Sequence, residues 1–213
     1  MNISTRRIVI ILLAVNTFVL GLPRPDFGIA QDVANSGKIA DRATALARSF
    51  SALDKTSLPI QSGVTLLILV RDTITSIASK LSRSGVDLMG TIVTLANDDT
   101  GPIVDAFARV TRALTASNAL LNGGLSTELN TLTSRLGPYL ARQFIDAFRG
   151  ISGGLQNLSK ALASLQVAIE KAKNAAGSGV VTTALVRKFV SPTIVFNVLS
   201  ALNEIGTGLP AVM

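Results

Sequence analysis

The 213-residue chain contains no Cys, no His and no Trp, and a single Tyr, Tyr139. Each absence removes a class of chemistry. Without His and Cys there is no serine-protease triad, no thiol nucleophile, no zinc finger and no haem attachment. Neither a metal site nor a cofactor is expected. Without Cys there is no disulfide, so the fold has to rest on apolar packing. Charge is scarce as well: Asp, Glu, Lys and Arg make up 15% of the chain, against about 25% in ordinary domains. Low charge weakens repulsion between copies and favours association with other surfaces.

The net charge is +7. It is spread along the sequence, with no basic cluster and no aromatic interleaving. That pattern is not a nucleic-acid footprint. It suits loose attraction to anionic lipid or matrix.

What is present begins at the N-terminus. Arg6 and Arg7 precede the apolar run Ile8–Val15, and Gly21 stands before Leu-Pro-Arg-Pro. A basic start, a short apolar stretch and a small residue before a proline-rich break describe a secretory signal peptide over 1–21. Cleavage after Gly21 is favoured over cleavage after Ala30, which instead suits later trimming of 22–30; an uncleaved anchor is the alternative. The run is shorter than the roughly 20 residues of a spanning helix, so no transmembrane anchor is expected after cleavage. Removing Arg6 and Arg7 from the 20 basic residues leaves 18 against 13 acidic ones, a net +5. The leader also supplies part of the mean hydropathy of +0.48. The exported remainder is expected to be secreted and extracellular. At about 190 residues it is long enough for a core without staples.

Helical periodicity dominates that remainder. Ile39, Ala43, Leu46, Phe50 and Leu53 step by four and three, as do Leu155, Leu158, Leu162, Leu165 and Ile169. Leu125, Leu129, Leu132 and Leu136 do the same, and so do Ile103, Phe107, Val110, Leu114 and Leu121. Such stepping places an apolar stripe on each helix. The stripes and their breaks predict helices near 31–57, 60–83, 86–97, 102–121 and 125–136. A segment over 139–175 is expected to be one helix bent at Gly150–Gly154, or two. Short helices near 180–190 and 192–205 follow. Val64–Val70 sits in the helical phase of Ile60, Val64, Leu67, Ile74 and Ile77, with no strand-like partner run, and its apolarity points to the central helix.

The expected fold is therefore all-α, an irregular bundle of six to nine helices without disulfides. It is expected as a single helical domain over 31–206. A shift of 116 positions aligns 45–71 with 161–187 without a gap, which raises the question of a duplicated helix pair.

Several local features have plain structural readings. Asn97-Asp98-Asp99 with Asp105 lacks the oxygen spacing of a calcium loop and reads as a helix stop with acidic caps. Gly85-Val-Asp-Leu-Met-Gly-Thr91 has the glycine spacing of a phosphate loop but no Lys. Gly123-Gly124 and Gly153-Gly154 read as helix ends or turns, with a hinge as the alternative. Arg71, beside the most apolar stripe, is expected to snorkel to the surface, with pairing to a buried acid or contact with the polar head of a ligand as the alternatives. Asn157-Leu-Ser159 is an N-glycosylation sequon, although it falls within a helical stripe.

Taken together, the sequence points to a secreted, non-enzymatic helical protein that binds an apolar small molecule or a lipid surface. Leu66, Leu67, Val70, Phe107, Phe144 and Phe148 are the candidate contacts. An extracellular structural or signalling role through protein contacts or self-association is the alternative. In general profile the chain resembles insect exchangeable apolipoproteins and fungal hydrophobic-surface-binding proteins, with less charge than the former.

Overall fold

A computed structural model describes residues 27–53, 58–82, 88–98 and 101–209. The proposed signal peptide lies outside the described residues. Seven α-helices and one π turn make up the described chain, which is 93% helical and has no strand. They are α1 (Phe27–Ser51), α2 (Leu58–Ser82), α3 (Leu88–Asp98), α4 (Gly101–Ala119), α5 (Leu125–Ala176), α6 (Thr183–Phe189) and α7 (Pro192–Gly208). The π turn, Leu120–Gly124, joins α4 to α5. The protein is an all-α, cysteine-free multi-helix bundle, as its stripes imply.

The helix boundaries follow local chemistry. α1 ends at Ser51, short of the expected 57, and Pro59 stands in the first turn of α2, where a missing N–H has no partner to lose. Gly137 has φ 79°, in the left-handed region open to glycine, and bends α5. Pro138 then starts the long arm, 138–176. At 1.5 Å per residue that arm is about 58 Å long. Gly177 ends it at φ 59°, its N–H donating to the Lys173 carbonyl at 3.1 Å. Thr182 caps α6 by accepting from the Leu185 N–H, and Pro192 opens α7.

The long arm does not bend at Gly150–Gly154; Gly137 is the one non-helical position inside α5. Nor is α2 the central helix. It keeps an exposed face of Gln61, Ser62, Thr65, Ile68, Asp72 and Thr75. The spine is α5, which packs against α3, α4, α6, α7 and the π turn. The 116-residue shift sets the break after Ser51 opposite unbroken helix in α5, and the break at 177–182 opposite α2.

Two apolar cores lie along this spine. The larger joins α1, α2, α4, α5 and α7, and includes Ile39, Leu46, Phe50, Leu67, Val110, Leu158 and Ile205. Phe50 ties three helices together. Its ring meets Phe144 of α5 edge-on at 4.5 Å and Phe148 at 5.4 Å, and it lies over Gly63 of α2. Such edge-on pairs add about 0.5–1.5 kcal/mol each to plain burial. The smaller core gathers Ile92 and Ala96 of α3, Ile103, the far end of α5 (Ala168, Ile169, Ala172), Val181 and α6.

α7 runs antiparallel to the long arm, with Gly208 beside Gly150 and Ile205 beside Gly154. On its other side Gly206 lies under Ile39 of α1, and Arg42 donates to the Gly206 carbonyl at 3.2 Å. Small residues on both flanks let α7 wedge between α1 and α5.

Candidate functional site

The six residues singled out from the sequence belong to the larger core. Leu66, Leu67, Val70 and Phe148 are fully buried, and Phe107 and Phe144 are partly buried against them. An apolar stripe is the same pattern whether it packs a helix or faces a ligand. Here it packs helices, since Phe148 closes on Phe50 and on Gly63.

The surface carries two clefts of interest. The first, of about 450 Å³, runs between α1 and α2. Thr44, Arg48, Ser51 and Ala52 recur at helical spacing on one wall, and Val64, Ile68 and Arg71 on the other, with Ala47 beneath. Its chemistry is divided. Ala47, Ala52, Val64 and Ile68 give an apolar strip, and Ile68 is 39% exposed. Two guanidinium groups and two hydroxyls border that strip.

Arg71 is held by its chain neighbour: its Nε and Nη2 donate to Asp72 Oδ1 at 2.8 and 2.7 Å. Both side chains are more than a third exposed. Exposed pairs of this kind contribute about 0–1 kcal/mol, so another anion can replace Asp72 at small cost. No acid pairs with Arg48 among the described residues. Arg71 thus reaches the surface beside its apolar stripe, and the acid it meets is exposed rather than buried. Arg48, which periodicity did not mark, lines the same cleft. Its signal in the sequence was an arginine one turn after Thr44, on the flank of a stripe.

The second cleft, of about 300 Å³, lies between the long arm of α5 and α7. Ala161 and Ala201 form its floor, and Asn157, Lys160, Ser164, Asn197, Ser200 and Glu204 line it. Asn157 Nδ2 donates to Glu204 Oε2 at 2.6 Å.

Compared with known proteins, the chain matches no family model, no curated protein and no solved structure.

The Asn97 region has a structural use. The Asn97 side chain donates to the Val181 carbonyl at 2.8 Å and accepts from the Val181 N–H at 2.7 Å. It acts as a peptide group, pinning the extended segment before α6 to the end of α3. Among the described residues no group of three or more Asp and Glu side chains is placed to hold a metal ion. Asp98 and Asp99 carry no described side chain.

Proposed function

We propose that this protein is a secreted, non-enzymatic binder of an apolar ligand or lipid surface, and that the α1–α2 cleft makes the contact. One observation carries the reading: an apolar strip around Ile68 is bordered by Arg48 and Arg71. That arrangement fits an amphiphile, with acyl chain on the strip and anionic head against the guanidinium groups. The character of α2 supports it. Its Leu58–Ile77 stretch has the length and apolarity of a membrane span, with 44% of it buried in the fold. Among its described side chains, Leu58 and Ile68 are the large apolar ones left exposed. The scarcity of charge acts in the same direction, because little repulsion opposes approach to a lipid surface.

Flotation of the purified chain with vesicles of neutral lipid, with and without an anionic lipid, tests this reading. Binding to the anionic vesicles is expected, and Ile68→Asp is expected to lower it at least tenfold. Gln61→Asp, on the exposed face of α2 but outside the cleft, serves as the equal-charge control. The reading fails if the wild type floats with neither vesicle and organic extraction of the protein from its producing cells yields no lipid. It also fails if both variants bind as the wild type does.

A further inference from the structure

Independently of the α1–α2 cleft, we propose that Asn157 carries an N-linked glycan whose first sugar lies in the α5–α7 cleft. The sequon Asn157-Leu-Ser159 sits within a helical stripe, yet the structure separates its members. Leu158 is fully buried in the core, while Asn157 is exposed on the flank of the stripe, beside Glu204 of α7. A sugar on Asn157 therefore starts from solvent, at the rim of the α5–α7 seam.

It also projects into a suitable place. Asn157 stands on the wall of a cleft lined by an ammonium, a carboxylate, an amide and two hydroxyls: Lys160, Glu204, Asn197, Ser164 and Ser200. These groups donate to and accept from sugar hydroxyls and an N-acetyl group. The floor of Ala161 and Ala201 leaves the room that larger side chains would fill.

The covalent step needs an oligosaccharide donor linked to a polyprenyl diphosphate, the co-reactant class of a secretory lumen. A bond forms between Asn157 Nδ2 and the anomeric carbon of the sugar. The bond from that carbon to the diphosphate oxygen breaks, and the diphosphate leaves with the electron pair. The amide gives up one of its two Nδ2 protons, which passes to the released diphosphate. One N–H remains on Nδ2, and Glu204 Oε2, which accepts from the unmodified amide at 2.6 Å, stands beside the linkage.

The test uses the full chain, secreted from eukaryotic cells, with an additional acceptor sequon on a C-terminal tail as control. Wild-type chain is expected to lose mass at two sites on treatment with peptide N-glycosidase, and Asn157→Gln or Ser159→Ala at the tail alone. Modification of the tail without Asn157 overturns the proposal. So does modification of neither, because the chain then never meets the donor. Seating is read separately. Wild-type glycoprotein trimmed by an endoglycosidase to one sugar is compared with the same chain made without glycosylation. The one-sugar form is expected to melt about 2–4 °C higher, the shift of about 1 kcal/mol for a chain of this size. An equal or lower melting temperature overturns the seating in the cleft.

Discussion

Gly150 and Gly208 meet backbone to backbone: a Cβ placed on Gly150 would stand 2.6 Å from the Gly208 α-carbon. One turn along α5, a Cβ on Gly154 would meet the Ile205 backbone nitrogen at 2.8 Å. These glycines are the close-approach surface of two antiparallel helices. Gly153, between them in sequence, has nothing within 4 Å of its Cβ position. Adjacent glycines in one helix therefore predict opposite effects. Gly154→Ala is expected to destabilise by at least about 1–3 kcal/mol, because the Ile205 backbone as well as its side chain must give way. Gly153→Ala is expected to stabilise by about 0.5–1 kcal/mol through helix propensity alone. Urea unfolding of the two variants measures both. Equal effects of the same sign would show that α7 does not dock on this face.

The same glycine pair shows where sequence reading stops. Stripes such as Ile39, Ala43, Leu46 and Phe50 were legible because a buried helix face recurs with the helix period; all four are buried. Leu129 continues the same rule in its own stripe yet is 40% exposed. Periodicity marks a face, and only a partner helix decides whether it is covered. Gly153-Gly154 read as a helix end because glycine lowers helix propensity. Tertiary packing outweighs that local preference, since Ile205 needs the space at Gly154. The α1–α2 cleft was half visible, through Arg71. Arg48 lies 23 positions away in sequence, and nothing local joins the two; the hairpin of α1 and α2 does.

Asn97 and Val181 exchange two hydrogen bonds across 84 positions. Asn97→Ala leaves both backbone groups of Val181 without that partner, in a partly buried position next to the smaller core. A loss of about 1–3 kcal/mol is expected. Asn97→Asp keeps the acceptor for the Val181 N–H but sets a carboxylate oxygen against the Val181 carbonyl, and is expected to be no better than Ala. Amide hydrogen exchange separates this local effect from a general one. The Val181 amide should lose protection in both variants, while amides around Phe50 in the larger core keep theirs.

Thr73 and Ser117 are buried, at 1% and 0% exposure, and among the described residues their hydroxyls have no hydrogen-bond partner. A buried polar group left unpaired costs about 1–3 kcal/mol. Thr73→Val keeps the shape of the side chain and removes that penalty, and Ser117→Ala does so with a gain in helix propensity. Each is expected to raise stability, by about 1 kcal/mol, in urea unfolding. A loss of stability in either variant would show that its hydroxyl has an unrecognised partner.

Arg48 and Asp72 predict opposite changes in lipid binding, which bears on the head-group side of the proposed cleft. Arg48→Glu reverses a charge that no acid neutralises among the described residues, and is expected to weaken binding to anionic vesicles at least tenfold. Asp72→Ala removes the carboxylate held by Arg71. Because an exposed pair contributes about 0–1 kcal/mol, the fold should be little affected, and the released guanidinium should strengthen anionic binding. The electrostatic part of both effects should fade as salt rises from 0.01 M to 1 M, where screening shortens from about 30 Å to about 3 Å. The apolar part, read from Ile68→Asp, should persist at high salt. Flotation across a salt series distinguishes them. If Arg48→Glu and Asp72→Ala shift binding in the same direction, the guanidinium pair does not hold the head group. Contact through the apolar strip alone is then the reading that stands.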